Sequence, residues 1–273
     1  MTKMNTSSKV YTSLVMIFLY APILVLVFFS FNEANSTAVF SGFSLKWYEE
    51  LFRDTDTIDA LKNTLILAVT SSILATILGT AAAVGINAMR SKPLKTTILT
   101  STNIPMMNPD IVTGVSMMLL FVLIANIIGI KGVLGFPTLL IAHITFNLPY
   151  VILSVLPKFR QMDKNLAEAA QDLGCTSIQA FFHVILPSIM PGVFTGLIMS
   201  FTLSLDDFVI SYFTSGPEFQ TLPIRIFSMT KKRVTPDMYA LSTILFFVIL
   251  VLLLLINASQ KRGDNKKKEK KEI

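Results

Sequence analysis

Six long apolar segments alternate with short polar ones along this chain of 273 residues. A helix needs about 20 consecutive, mainly apolar residues to cross a hydrocarbon layer about 30 Å thick. Lipid offers the backbone no water to bond, so each such segment must satisfy its own hydrogen bonds as a helix. The segments of this length are Tyr11–Phe31, Leu61–Met89, Ile104–Ile128, Phe136–Leu156, Ser188–Phe213 and Met238–Ala258. The pattern predicts an all-α membrane protein with six transmembrane helices.

The composition agrees with a chain that dissolves in lipid. Hydrophobic residues make up 52% and charged residues 15%, which leaves too little polar surface for a soluble domain of this length. We predict a short N-terminus over residues 1–10, one six-helix membrane domain over 11–258, and a basic tail over 259–273. The first apolar run has no small-x-small cleavage site, so we expect it to remain as the first helix.

The placement of Lys and Arg predicts the orientation of the chain in the membrane. With the N-terminus inside, the cytoplasmic segments hold fifteen of these residues and the outer segments hold seven. Positive residues are enriched in cytoplasmic loops. The last outer loop, with Arg225 and residues 231–233, runs against this rule. We therefore expect both termini and the loop between the fourth and fifth spans to lie in the cytoplasm.

That loop, residues 158–187, is a polar segment with its own helix signals. Asn165 with Glu168 three residues later has the pattern of a capping box. Gly174 is suited to the position just after a helix end. The first half of the loop therefore predicts a short capped helix closed by a glycine turn.

A second helix is predicted immediately after this turn. Thr176 with Gln179 is another capping-box pattern, and Pro187 is expected to end the helix. A helix, a glycine turn and a second helix are typical of a docking site for another protein rather than of a linker.

Small residues recur four apart in the second span, at Ala75, Gly79 and Ala83. Such spacing lets helices approach closely in lipid. The span is therefore expected either at the centre of the helix bundle or at a subunit interface.

The fifth span contains two adjacent carboxylates, Asp206 and Asp207, just after Ser204. Charged groups at membrane depth are disfavoured by about 2.5–3.5 kcal/mol each on insertion scales, so they usually line a polar path. Neighbouring residues on a helix are about 100° apart, and the two carboxylates must point in different directions. They either coordinate a cationic substrate or form a structural polar pair near the helix end.

Two further polar residues lie in the spans. Asp110 follows Asn108-Pro109 near the start of the third span, where proline and an acidic residue favour the start of a helix by themselves. Asp110 could also contribute to a ring of negative charge with the acidic pair. His143 in the fourth span is interpreted as a hydrogen-bonded bundle residue rather than a proton relay.

The sequence lacks the GxxxxGK[ST], HExxH and GxSxG motifs. The chain is therefore predicted to be no enzyme and to carry no cofactor. If transport is driven by ATP, another polypeptide must bind ATP and magnesium. Two histidines and one cysteine without a cluster predict no metal site.

The cytoplasmic loop carries the pattern EAA-x3-G-x9-I-x-LP as Glu168-Ala169-Ala170, Gly174, Val184 and Leu186-Pro187. This resembles the signature of permease subunits of bacterial and archaeal ABC importers, with valine in the usual isoleucine place. Four other segments resemble the PotC-type permeases of spermidine/putrescine importers: Asn103–Asp110, Phe201–Asp207, Thr214–Pro217 and Leu222–Met229.

The resemblance implies a type I ABC importer permease fold (MetI-like) in a prokaryotic cell membrane, and polyamine transport by alternating access. The implied partners are a PotB-type permease in a heterodimer, two PotA-type ATPase subunits and an external PotD-type substrate-binding protein, with no nucleic acid. The implied ATPase-coupling residues are Glu168, Ala169, Ala170, Gly174, Leu186 and Pro187. The implied substrate-path residues are Trp47, Asp110, Asp206 and Asp207.

Two alternatives stay open at this point. The same fold could import another solute, such as iron, a sugar or an oxyanion, although the acidic pair speaks against anions. The chain could also be a self-contained secondary transporter or channel. No internal repeat is visible in the sequence, which weakens a secondary transporter built from inverted halves.

Overall fold

A computed structural model of the protein describes residues 6–34, 39–163, 165–232 and 237–251. Within these ranges the regular elements are all helices, and one isolated antiparallel bridge joins Asn32 to Phe43. The predicted all-α class is confirmed. The predicted tail and the end of the sixth span, residues 252–258, lie outside the described ranges.

Twelve helices follow one another in the described ranges. They are α1 (Thr6–Phe29), α2 (Lys46–Arg53), α3 (Thr55–Ala88), α4 (Lys92–Met107), α5 (Asp110–Ile128), α6 (Phe136–Gln161), α7 (Leu166–Asp172), α8 (Ser177–Ala180), α9 (Leu186–Asp206), α10 (Val209–Thr214), α11 (Leu222–Lys232) and α12 (Asp237–Val251). A π-helical turn over Phe181–Ile185 joins α8 to α9. Among the described residues, five segments are long and apolar enough to cross a membrane: α1, α3, α5, α6, and α8 to α9 taken together. The described part of the sixth predicted span is α12.

The third predicted span, Ile104–Ile128, is not one continuous helix. The helix α4 ends at Met107, Asn108 has an extended backbone with φ −81° and ψ 140°, and α5 begins after Pro109. A proline disfavours the helical conformation at the residue before it and donates no hydrogen bond itself. The membrane-length part of this region is therefore α5 alone.

The fifth predicted span, Ser188–Phe213, is also interrupted. The helix α9 ends at Asp206, and Asp207 has an extended backbone with φ −64° and ψ 123°. The short helix α10 then begins at Val209. The prediction of a continuous span was wrong because hydropathy does not register a break made by polar side chains within an apolar run.

The chain divides into two compact units, residues 1–57 with 226–273, and residues 58–225. In the first unit α2 buries Trp47 and Leu51. The rings of Phe31 and Phe43 stack with their centroids 5.1 Å apart. The loop before α2 is thereby held against the end of α1.

The core of the second unit lies along α6. Its buried members are Ala75, Ala83, Ile86, Val151, Ile152, Val155, Leu156, Phe159 and Ile189. The small-residue stripe of α3 is part of this core, and Gly79 packs directly against the Val151 side chain. Of the two expected locations for the stripe, the structure supports the centre of the bundle.

The short helix α10 is fixed against α5 and α6. Gly114 of α5 allows close approach, since a Cβ atom there would lie 3.1 Å from the Phe213 ring. The Thr138 hydroxyl of α6 donates to the Thr214 carbonyl at 2.9 Å. Gly216, with φ +70°, then turns the chain so close to Leu134 that a Cβ atom would collide with its carbonyl oxygen. These contacts set the position of the break between α9 and α10.

Candidate translocation site and coupling loop

Asp207 lies in the break between α9 and α10 and accepts hydrogen bonds from the first turn of α10. Its Oδ2 accepts from the Ser211 backbone N–H at 2.8 Å and from the Ser211 hydroxyl at 2.9 Å. Its Oδ1 accepts from the Ile210 backbone N–H at 3.3 Å. The first N–H groups of a helix have no partner within it, and the helix dipole favours an anion there. Asp207 therefore connects the end of α9 to the start of α10.

His143 of α6 faces the same carboxylate and is 1% exposed. Its Nε2 lies 3.5 Å from Asp207 Oδ2 and 3.0 Å from Ser211 Oγ. Because the Ser211 hydroxyl donates its hydrogen to Asp207, it accepts from His143, which places the ring hydrogen on Nε2. The other ring nitrogen, Nδ1, lies 3.1 Å from Ser204 Oγ and in the neutral ring accepts from that hydroxyl.

Two more buried polar side chains complete this arrangement. Asn147 Nδ2 donates to Ser204 Oγ at 2.7 Å, and Ser71 Oγ lies 2.9 Å from the same oxygen. We name the set the buried polar cluster; its members are Ser71, His143, Asn147, Ser204, Asp207 and Ser211. It joins α3, α6, α9 and α10. Hydrogen bonds in a low-dielectric interior strengthen one another, so a connected cluster of this kind rigidifies the helices that it joins.

The two adjacent carboxylates have different environments. Asp206, the last residue of α9, is exposed, whereas the Asp207 side chain is 8% exposed. The difference follows from the break, because Asp207 turns inward to α10 and Asp206 remains on the outer face of α9. Asp206 is the member of the pair that presents its charge outside the bundle of its own unit.

Asp110 is also exposed and is the first residue of α5. The helix start predicted at this point is confirmed, although Pro109 precedes the helix and does not occupy its first position. Asp110 thus offers a carboxylate at a helix end, where the backbone N–H groups of the first turn are unpaired.

Sequence reasoning missed a polar face on α4, which has no buried residue. Its exposed hydroxyls are Thr96, Thr97, Thr100 and Ser101. Residues three and four apart share a face of a helix, and this face ends at the break before Asp110. The spacing of serine and threonine residues three and four apart could have predicted this face. It was missed because hydropathy is averaged over a window and does not register which residues share a helix face.

Trp47 belongs to the first unit, where it is 6% exposed. Its indole N–H donates to the Asn32 carbonyl at 2.6 Å, and Lys46 Nζ lies 5.1 Å from the ring centroid. In this state the ring is covered and its one donor is bonded. A role in the substrate path stays a prediction, and it requires the ring to become accessible.

The loop over residues 158–187, which we call the coupling loop after its predicted role, forms α7 in its first half, with Glu168 and Ala169 exposed and Ala170 buried. Gly174 has φ +90°, its N–H donates to the Gln171 carbonyl at 2.8 Å, and the Cys175 N–H donates to the Ala170 carbonyl at 3.1 Å. These two bonds form a Schellman motif. The predicted glycine ending is confirmed.

The predicted capping box at Asn165 was wrong. The Asn165 side chain makes no capping hydrogen bond, and its backbone is helical. The Asp163 carboxylate instead accepts the Asn165 N–H at 3.0 Å. A side-chain turn formed two residues earlier thus displaces the box that the spacing of Asn165 and Glu168 predicts.

The capping box of the second helix is confirmed. Gln179 Oε1 accepts from the Thr176 N–H at 2.9 Å, and Thr176 Oγ1 accepts from the Gln179 N–H at 3.3 Å. The expected end of this helix at Pro187 was wrong. Pro187 lies in the first turn of α9, which continues from α8 through the π-helical turn. The wider turn accommodates a residue that has no N–H and whose ring crowds the preceding turn.

Large apolar side chains stand exposed on this otherwise polar loop. Leu173 is 88% exposed, Ile178 71% and Phe182 58%. Leu186 is half-buried and Pro187 is exposed. Exposed apolar groups framed by polar residues mark surfaces that contact proteins.

Comparison with known proteins identifies the family. Residues 75–269 match the family described as "Binding-protein-dependent transport system inner membrane component". The chain belongs to this family. The permease is 41% identical over 231 residues to the "Putrescine transport system permease protein PotI" of Escherichia coli K12, covering 84% of this chain and 81% of that protein.

Other relatives agree with this assignment. The "Spermidine/putrescine transport system permease protein PotC" of Escherichia coli K12 is 40% identical over 230 residues, covering 84% of both chains. The PotC protein of Haemophilus influenzae is 41% identical over 228 residues, covering 84% of this chain and 86% of its own. The permease is therefore a membrane subunit of an ABC importer.

Solved structures share the fold of the permease. A chain of a bacterial ABC transporter that imports the acidic polysaccharide alginate matches with a TM-score of 0.73 at 18% identity, covering 94% of both chains. A chain of an amino acid ABC transporter with histidines matches with a TM-score of 0.57 at 19% identity, covering 79% of this chain and 98% of that one. The predicted multi-pass membrane protein with an ABC importer permease fold is confirmed.

Proposed function

We propose that this permease moves polyamines, spermidine and putrescine, across the cytoplasmic membrane by alternating access. The observation that carries the proposed cargo is 40–41% identity over 84% of the chain to the PotI and PotC permeases. The exposed carboxylates of Asp110 and Asp206 support it, since charge-assisted hydrogen bonds to ammonium groups are the strong ones. Exposure also favours release, because a conduction path must not hold its ion tightly.

The proposed assembly joins this chain to three kinds of partner subunit. A PotB-type permease forms the second half of the membrane domain, and a PotD-type binding protein delivers cargo from outside. Two PotA-type ATPase subunits bind ATP and magnesium, and this chain is not itself an enzyme. The termini and the coupling loop face the cytoplasm, as the excess of Lys and Arg in these segments supports.

The coupling loop transmits closure of the ATPases to the helix bundle. The exposed Glu168 and the exposed apolar groups around Gly174 support this role. We expect Glu168→Lys to leave membrane insertion intact and to lower uptake while ATP hydrolysis continues. Normal uptake by this variant in the assembled complex would remove Glu168 from the coupling residues.

Uptake by the assembled complex tests the cargo. Proteoliposomes would contain this permease, the second permease and the ATPases, with the binding protein outside and ATP inside. We expect ATP-dependent uptake of labelled spermidine that unlabelled putrescine inhibits and maltose does not. Uptake of iron, a sugar or an oxyanion without uptake of spermidine would overturn the proposed cargo.

Co-purification tests the class of transporter. An ATPase should remain with this permease through extraction in mild detergent. Spermidine uptake that proceeds without any ATPase subunit would instead indicate a self-contained secondary transporter.

A further inference from the structure

We propose that His143 is a positioning residue for the cation path. With Ser211 it holds Asp207 inside the bundle, so that Asp206 alone of the acidic pair meets the cargo. The identity of the cargo rests on the proposed function, whereas the placement of the two carboxylates does not. The proposal separates two residues that the sequence presents as one acidic pair.

The hydrogen bonds of Asp207 leave it little capacity for an ammonium ligand. Its Oδ2 already accepts two bonds from Ser211 and lies 3.5 Å from His143 Nε2. Its Oδ1 accepts from the Ile210 N–H. A cargo ammonium would have to displace donors that are themselves buried, and a buried polar group left without its partner is unfavourable.

The position of Asp206 depends on this anchor. Asp206 ends α9, and the next residue, Asp207, is bonded to the first turn of α10. The helix α10 is itself packed on α5 and α6 through Gly114 and Thr138. Because α10 fixes the chain on the C-terminal side of the break, the Asp206 side chain keeps its exposed orientation.

His143 acts through Asp207 and does not itself face a path. It is buried between Ser204 of α9 and Ser211 of α10. Among the described contacts of the buried polar cluster, Asp207 is the one charged group that faces the ring. Removal of His143 would leave the buried Asp207 carboxylate with one compensating dipole fewer, which is unfavourable in a low-dielectric interior.

Thiol labelling tests the placement without any cargo. The sequence has a single cysteine, Cys175, so Cys175→Ser gives a cysteine-free background. Asp206→Cys and Asp207→Cys in this background, assembled with the other subunits in nanodiscs, would be treated with a trimethylammonium methanethiosulfonate reagent. We expect the cysteine at 206 to react at least about tenfold faster, which corresponds to about 1.4 kcal/mol. Equal rates, or faster reaction at 207, would overturn the proposal.

The ratio of spermidine to putrescine uptake tests the functional consequence. Asp206→Asn removes a charge from the path, and we expect it to shift this ratio, since one cargo carries three charges and the other two. Asp207→Asn and His143→Gln should change the rates of both cargoes by one common factor and leave the ratio unchanged. Asp59→Asn, at an exposed ion pair with Lys62, is the matched carboxylate control and should change neither. A shift with Asp207→Asn as large as that with Asp206→Asn would overturn the proposal.

A double-mutant cycle tests the link between His143 and Asp207. His143→Leu removes the His143 dipole that faces the Asp207 carboxylate, and we expect uptake to fall at least about tenfold, or about 1.4 kcal/mol. Asp207→Asn in the same chain removes the charge and should restore the rate of the Asp207→Asn single variant. His143→Gln keeps a side-chain N–H donor and should rescue most of the activity. Additive losses in the cycle, or loss with both His143 variants in normally assembled complexes, would contradict a positioning role.

The outcomes separate the two proposals. If the wild-type complex takes up no polyamine, the proposed cargo fails and the labelling rates still decide the placement of the carboxylates. If the His143→Leu chain does not assemble, the ratio measurement with Asp207→Asn and His143→Gln decides the role of His143.

Discussion

Gly79 of α3 faces Val151 of α6 so closely that a Cβ atom at position 79 would lie 2.7 Å from the Val151 Cβ. Gly196 of α9 also approaches this valine, and a Cβ atom there would lie 3.2 Å from the Val151 Cα. Val151 therefore fills the space that two glycines leave between three helices. In lipid, helices associate through close packing of this kind rather than through the hydrophobic effect.

We expect Gly79→Ala to destabilise the permease by about 1–3 kcal/mol, because Val151 is fully buried and cannot move aside. Gly85→Ala is the matched control on the same helix, since a Cβ atom there would meet nothing within 4 Å beyond the neighbouring backbone of α3. It should be neutral or stabilise by up to about 1 kcal/mol through helix propensity. The midpoint of thermal unfolding of the detergent-solubilised complex measures both. Equal midpoints for the two variants would contradict the packing of Gly79.

The small-residue stripe of α3 could be predicted because spacing alone decides which residues share a helix face. The break between α9 and α10 could not. It depends on the hydrogen bonds from Ser211 to Asp207 and on His143, whose Nε2 lies 3.5 Å from Asp207 Oδ2 and which is 64 positions earlier in the chain. A hydropathy pattern averages over such a break, and it gives no information on a contact between distant segments.

The coupling loop shows the same limit on a smaller scale. The box at Thr176 and Gln179 could be predicted because both partners lie within one turn. The box at Asn165 failed because Asp163, two residues before it, competes for the same N–H. Pro187 could not be interpreted from sequence alone, since a proline ends a helix in one context and opens its first turn in another.

We expect Gly174→Val to uncouple ATP hydrolysis from uptake, and Gly174→Asn to retain most coupling. Gly174 has φ +90°, a backbone region that a β-branched residue enters only under strain and that asparagine tolerates better. The space around position 174 is open, so neither side chain would clash with a neighbour. The two variants therefore test the positive φ angle of this residue. The measurement is the ratio of spermidine taken up to ATP hydrolysed in proteoliposomes. The idea fails if valine and asparagine give the same ratio.

Leu173 is expected to contact the ATPase directly. Its side chain is 88% exposed on a polar loop, and its transfer out of water is worth about 1.5–3 kcal/mol. Leu173→Asp should therefore reduce the amount of ATPase that co-purifies with the permease. Gln171→Asp adds the same charge to the exposed surface of α7 and should retain the ATPase. Full retention with Leu173→Asp would place the ATPase contact elsewhere.

Thr64 of α3 provides a last test, at a single buried hydrogen bond. Its hydroxyl oxygen accepts from the Leu222 backbone N–H at 2.7 Å, and both residues are buried. Thr64→Val keeps the shape of the side chain and removes the acceptor, which leaves a buried N–H unsatisfied at a cost of about 1–3 kcal/mol.

Two further variants are controls for this change. Thr64→Ser keeps the oxygen and should retain most of the stability. Thr70→Val, on the same helix at a half-buried position whose hydroxyl donates only to carbonyls of α3, controls for the loss of a hydroxyl. The expected order of unfolding midpoints is Thr70→Val close to wild type, then Thr64→Ser, then Thr64→Val. A midpoint for Thr64→Val equal to that of Thr70→Val would show that this bond does not hold the start of α11 to α3.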